Sequence, residues 1–140
     1  MKIYFSCSIR GVRPRPEIPQ LLIDYLKGHG QVLTEHIGVM TDEVEYTRSE
    51  DEIFSQDITW LKEADVIIAE VTGPSLGVGY EIGIAESLGK PILCLCQNGE
   101  KRLSAMIKGN KGLTLMYYEK VSEAYHHIDG FLKSVNASGR

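Results

Sequence analysis

The chain has 140 residues, 43% hydrophobic and 24% charged, with a net charge of −4. That length suits one domain with a single core, held without metals or disulfides, and we expect a catalytic domain over 1–136 with a frayed end over 137–140. The mild acidity excludes the broad basic face that a polymeric nucleic acid or an anionic membrane would need, although a single phosphate requires only a local site.

The first expected element is a strand over Lys2–Ser6, with no basic and apolar leader before it, so we expect no signal peptide. A helix follows over Ile18–Lys27, stopped near Gly28, and then a strand over Gln31–Thr34. Residues 37–48 are polar and read as a loop. Ser49, with Glu52 three residues on, has the form of a capping box and starts a helix over Glu50–Glu63. A strand over Asp65–Val71 runs into the turn signal Gly73-Pro74 and a helix over Gly77–Leu88, stopped at Gly89. The chain then alternates strand Pro91–Cys96, helix Lys101–Lys108, strand Leu113–Tyr117 and helix Ser122–Val135.

VIIAEV and ILCLC are short and nearly all apolar, as strands covered on both faces are. Repeated β-then-α order predicts a doubly wound, five-stranded parallel sheet of flavodoxin-like order 2-1-3-4-5. Ligands of such sheets bind beyond the carboxyl ends of the strands, where the order reverses between strands 1 and 3. No apolar run approaches the roughly 18 residues of a membrane span. Cys7, Cys94 and Cys96 are too few for a disulfide scaffold and read as small apolar residues in a reducing, cytoplasmic setting. Cys94 and Cys96 share a strand face, yet no cluster at ligand spacing completes a metal site there.

Two carboxylates fall on the wrong side of their helices. At 100° per residue, Ile53, Phe54, Ile58, Trp60, Leu61 and Ala64 form one apolar arc, and Asp57 lies near its middle. Such an Asp is either satisfied by an amide or an Arg, or is a functional acid. In the next helix Val78, Ile82, Ile84, Ala85 and Leu88 form the stripe, and Glu81 lies inside it, in what we expect to be the first turn. A first-turn Glu commonly stabilises a helix through its dipole, which leaves its inward direction unexplained. Glu86, at the edge of the arc, is expected to be solvated. Two inward carboxylates suggest acid–base or nucleophilic chemistry at a glycosidic centre, with split pKa values if they lie close.

Ser8, Ile9, Arg10 and Gly11 follow the first strand and offer a hydroxyl, a guanidinium and a flexible backbone at the ligand edge. Ser75 leads into a helix whose amides can hold an anion, a role compatible with capping that helix. Gly77, Gly79 and Gly83 read G-x-G-x-x-x-G, which is not a dinucleotide fingerprint; Gly77 and Gly79 are expected to let the backbone approach a ligand.

The segments YFSCSIRG (4–11), VLTEH (32–36), QDITWLKEADVIIAEVTGPSLGVGYEIG (56–83), PILCL (91–95) and LSAMIKG (103–109) closely resemble the 2′-deoxynucleoside 5′-monophosphate N-hydrolases, of the nucleoside 2-deoxyribosyltransferase-like fold. The resemblance implies that Glu81 is the glutamate that attacks the anomeric carbon, Asp57 the second catalytic carboxylate, and Tyr4 a tyrosine near the reacting centre. It implies that Ser8, Ile9, Arg10 and Gly11 surround the nucleotide and that Ser75 binds phosphate. Ser104, accompanied by Met106, would bind the phosphate of a neighbouring subunit in a homodimer. His36 would line the base pocket, although alone it reads as a solvated histidine at a strand end. The sequence departs from the family pattern at Ser6-Cys7, where Cys-Gly is usual and where a Cβ is expected to narrow the approach to the ligand. It departs again over Val12–Pro16 and over the loop 37–52, which bears on the choice of base.

The expected reaction is hydrolysis of a nucleoside monophosphate to free base and sugar 5-phosphate, without metal or organic cofactor. A nucleoside 2-deoxyribosyltransferase, passing the sugar to another base, would use the same Glu. A non-catalytic nucleotide-binding or receiver-like module is the third reading. A receiver would need acids after strand 1 and a phosphorylatable Asp after strand 3, where Ser6-Cys7 and Val71-Thr72 stand.

Overall fold

The computed structural model describes residues 1–8, 15–36 and 48–139. Five parallel strands, β1 (Lys2–Ser6), β2 (Gln31–Val32), β3 (Val66–Glu70), β4 (Ile92–Gln97) and β5 (Thr114–Tyr118), form one sheet in the order β2-β1-β3-β4-β5. Helices α1 (Ile18–Lys27), α2 (Glu50–Glu63), α3 (Leu76–Ser87), α4 (Ala105–Lys108) and α5 (Val121–Ala137) alternate with them. The expected fold class and strand order are those observed. The expected loop 37–48 lies outside the described residues except for Arg48.

Side chains alternate across the sheet and make two cores. Ile3, Phe5, Val66, Ile68, Leu93 and Leu95 pack against the buried stripes of α1 and α5, such as Leu22, Leu26, Ile128 and Leu132. Tyr4, Ile67, Ala69 and Cys94 pack on the other face against Leu61 of α2 and Val78, Ile82 and Ala85 of α3. Each fully buried aliphatic side chain contributes about 1.5–3 kcal/mol. Among the described residues no helix is long and apolar enough to cross a membrane.

Local chemistry accounts for where elements depart from their expected bounds. β2 stops at Val32 because Thr34 turns its side chain into the ladder: Phe5 N donates to Thr34 Oγ1 at 2.9 Å, and that hydroxyl donates to Phe5 O at 2.7 Å. α4 begins at Ala105, later than expected, because Ser104 is its N-cap and accepts from Met106 N at 3.1 Å. Ser49 caps α2 as expected, accepting from Glu52 N at 3.1 Å. The expected apolar arcs are only partly buried. Leu61, Ala64, Val78, Ile82 and Ala85 are inside, whereas Phe54 and Leu88 are exposed.

Candidate active site

The site is built where β1 meets α3. Tyr4 and Ser6 are two apart on β1, so both side chains leave the same face, towards α3. The Tyr4 phenol donates to Glu81 Oε2, and Ser6 Oγ donates to Glu81 Oε1 at 3.4 Å. One strand thus addresses both oxygens of one carboxylate. Ser75 fixes the start of α3 by accepting from Val78 N at 3.3 Å. Because α3 starts at Leu76, Glu81 stands in its second turn rather than the first turn expected from sequence. The helix dipole fades beyond the first turn, so it does little for the Glu81 charge.

The electrostatics follow from that position. Burial pushes the Glu81 carboxyl up to about 7; the Tyr4 hydrogen bond opposes this, the Asp57 charge adds to it, and the Ser6 bond opposes it. Burial, then the charges of Glu81 and Asp57, push the Tyr4 phenol far above its usual value, so Tyr4 remains a proton donor at neutral pH. Asp57 is half-buried on α2. The Asp57 charge therefore bears on Glu81, while the largest cause of the Glu81 shift is the loss of water around it.

His36 is half-buried and packs on Trp60, with ring centroids 5.4 Å apart and planes tilted by 48°. Burial, then the Arg48 charge, holds its pKa below the ordinary value, so the imidazole beside Trp60 is neutral. Among the described residues a cleft of about 470 Å3 opens beside α2, lined by Arg48, Glu52, Ser55, Gln56, Thr59 and Trp60. Glu81 and Asp57 are not part of that lining.

Other expected site residues fall as follows. Ser8 is buried, and its Oγ has no hydrogen-bond partner among the described residues. Ile9, Arg10 and Gly11 lie outside the described residues. Gly77 and Gly79 sit on the open side of α3, where an added Cβ would meet nothing within 4 Å. Ser104 and Met106 are on the surface at α4. The Cys7 side chain joins the core under α1 and α5, on the opposite face from Tyr4 and Ser6. Glu86 is exposed as expected and accepts from Asn110 Nδ2 at 2.8 Å.

Sequence reasoning missed Ser6 as a partner of Glu81. The available signal was its two-residue spacing from Tyr4 on one strand. It also passed over Glu70, read as part of a nearly apolar strand.

A family model described as nucleoside 2-deoxyribosyltransferase matches residues 3–130. The chain belongs to that family. It is 48% identical over 141 residues to the 5-hydroxymethyl-dUMP N-hydrolase of Esox lucius, covering 95% of this chain and 94% of that protein. It is 48% identical over 111 residues to the 5-hydroxymethyl-dUMP N-hydrolase of Rattus norvegicus, covering 76% of this chain and 68% of the relative. This kinship places the chain among the enzymes of the N-hydrolase class. Its fold is shared with the CMP N-glycosidase BcmB of Clostridium botulinum, with a TM-score of 0.67 at 22% identity over 94% of this chain and 99% of the other. BlsM shares it too, with a TM-score of 0.74 at 22% identity over 96% and 90%.

Proposed function

We propose that this protein hydrolyses the N-glycosidic bond of a 2′-deoxynucleoside 5′-monophosphate, with Glu81 as its nucleophile. The observation that carries the reading is one carboxylate held at both oxygens by Tyr4 and Ser6, with its pKa raised to about 7 beside a second acid, Asp57. Such a group is ionised in a substantial fraction at neutral pH yet is poorly solvated, which favours attack. Oε1, which among the described residues accepts the long Ser6 bond alone, attacks C1′ as the C1′–N bond breaks. The bonding pair leaves with the base, which takes its proton from Asp57. The resulting glycosyl ester at Glu81 is attacked by water. Its oxygen joins C1′, its proton goes to Asp57, and the Glu81 carboxylate is released.

The substrate class follows from the names of the relatives, 5-hydroxymethyl-dUMP N-hydrolases at 48% identity. Arg10, Ser75 and Ser104 are our phosphate ligands, and the buried hydroxyl of Ser8, without a partner among the described residues, is a further donor for the nucleotide. His36, backed by Trp60, lines the base side. Cys7, Cys94 and Cys96 are buried as small apolar residues, which accords with a cytoplasmic enzyme.

The test is to incubate the protein with ribo- and deoxyribonucleoside monophosphates and measure released base and sugar 5-phosphate. Deoxyribonucleotides should turn over, nucleosides lacking phosphate should be poorer by orders of magnitude, and Glu81→Gln should bind without turnover. Base release by Glu81→Gln at the wild-type rate would overturn the assignment. If an added free base captured the sugar and suppressed sugar 5-phosphate, the enzyme would be a transferase.

Our reading of the assembly is a homodimer in which Ser104 completes the neighbouring pocket. Supporting it, Leu76 is 96% exposed, Tyr80 59% and Phe54 54%, apolar side chains on α3 and on α2 beside it, and Met106 on α4 is 80% exposed. α3 is apolar nearly all round, which suits a helix covered on both sides. Mixing Glu81→Ala with Ser104→Ala under subunit exchange should restore activity above the sum of the parents, since one pocket of the mixed dimer is intact. No recovery despite proven heterodimers would place Ser104 in its own chain's site or in none.

A further inference from the structure

A second carboxylate lies deep in the molecule and has no part in the chemistry above. Glu70, the last residue of β3, is 1% exposed. It points to the face of the sheet opposite Glu81, alongside Val66 and Ile68. A leucine would fill that place without the cost of burying a carboxylate. Its bonds show what the acid does. Thr72 N donates to Oε1 at 2.6 Å, Thr72 Oγ1 donates to Oε2 at 3.0 Å, and the buried Tyr118 phenol donates to the same oxygen. Thr72 Oγ1 in turn accepts from Gln97 N at 2.9 Å. The carboxylate thus ties the ends of β3, β4 and β5 into one knot and fixes both backbone and side chain of Thr72. Burial pushes the Glu70 carboxyl up, and its three donors pull it back.

Thr72 is the last fixed point before the site. Gly73 follows in the left-handed region at φ 81°, then Pro74, then Ser75, which caps α3. Only Gly73 and Pro74 separate Thr72 from Ser75 and the first amides of α3, so a shift at Thr72 has two residues in which to dissipate. We propose that Glu70 is a positioning residue, whose grip on Thr72 sets where Ser75 and the start of α3 meet the nucleotide's phosphate. This rests on the phosphate role given to Ser75 above, and the experiment separates the two.

The experiment compares Glu70→Gln, Tyr118→Phe, Thr72→Val and Ser75→Ala with wild type, each assayed well below its own melting temperature. Glu70→Gln keeps the volume but cannot accept all three bonds. We expect its KM for a deoxynucleoside monophosphate to rise about ten-fold, with kcat changed much less, and inhibition by inorganic phosphate to weaken in proportion. Thr72→Val and Tyr118→Phe, which keep the carboxylate, should shift both constants the same way by less. A residue that served stability alone would lower the melting temperature and leave KM and phosphate inhibition at wild-type values, and that result overturns the proposal. If Glu70→Gln fails to fold, Thr72→Val and Tyr118→Phe carry the test, and wild-type constants in both overturn it. Unchanged KM in Ser75→Ala, with raised KM in Glu70→Gln, would remove Ser75 from the phosphate site and leave Glu70 acting through the α3 amides. Raised KM in Ser75→Ala alone would refute the role of Glu70.

Discussion

The sheet carries a tyrosine–carboxylate pair on each face, and the two have opposite characters. Tyr4 with Glu81 lies on the side of α2 and α3; Tyr118 with Glu70 lies on the side of α1 and α5. Glu70 stands on a strand, fully buried, with a backbone amide and two hydroxyls converging on it. Glu81 stands on a helix, with two hydroxyls, no backbone donor among its described bonds, and a like charge at Asp57. A saturated carboxylate is a fastener. Burial raises both carboxyls, and Glu81, with no backbone donor among its described bonds, is the one suited to the proposed role of reagent. The difference lies in the partners supplied, since the two pairs have the same functional groups.

The sharpest way to break this contrast is to remove the acid from each. Glu81→Gln should lower kcat by three orders of magnitude or more, roughly the loss expected when a nucleophile is deleted. The same change at Glu70 should leave kcat within about ten-fold of wild type. Single-turnover base release measures both. Equal losses would mean that Glu70 takes part in the chemistry.

Asp57→Asn should come next. If Asp57 handles the proton of the leaving base and then of water, the loss should be about 10²–10⁴-fold in kcat. Removing its charge should also lower the acid limb of the rate profile, because the Asp57 charge raises the Glu81 pKa. A variant that melts earlier but turns over normally per folded molecule would make Asp57 structural.

Much of this was legible beforehand, and what was missed has physical reasons. The β-then-α order, the apolar strands and the turn at Gly73-Pro74 sufficed for the sheet and its strand order. Helical periodicity sufficed to turn Glu81 and Asp57 inward. Periodicity could not give the partners of Glu81, because those sit 75 and 77 residues away on another element. Glu70 hid within an apolar run, and only the three-dimensional meeting of β3 with β5 explains it. Helix burial was overestimated at Phe54 and Leu88, since an apolar arc shows which residues share a face and not how much of that face a neighbouring element covers.

Ser6 offers a smaller test. Its hydroxyl is a weak donor to Glu81 Oε1, at 3.4 Å, and it opposes the rise in the Glu81 pKa. Ser6→Ala should move the acid limb of kcat/KM upward by roughly half a pH unit to one unit, with little change on the plateau. An unmoved limb would reduce Ser6 to packing.

The smallest expected effect is on stability, and its sign is opposite to the effect on activity. Folding raises the Glu81 pKa to about 7, above its unfolded value near 4.3. The folded state therefore favours the protonated carboxyl. That contribution is fully present below about pH 4 and is lost as the pH rises through about 7. Wild type thus loses some stability between those limits on account of this one group. Glu81→Gln has no charge to desolvate and can still accept from the Tyr4 phenol. We expect the inactive variant to melt at a higher temperature than wild type near pH 8, by several degrees, with the gap closing towards about pH 4. Melting curves of the two proteins across that range measure it directly. A gap that stays constant with pH would mean that Glu81 is not desolvated as its position between β1 and α3 requires, and a variant less stable near pH 8 would mean that its charge is stabilised by partners beyond Tyr4 and Ser6. The reagent and the fastener then part company in a last respect. Burial raises both carboxyls, but replacing Glu70 leaves three donors, a backbone amide among them, partly unsatisfied, so Glu70→Gln should gain less stability near pH 8 than Glu81→Gln does.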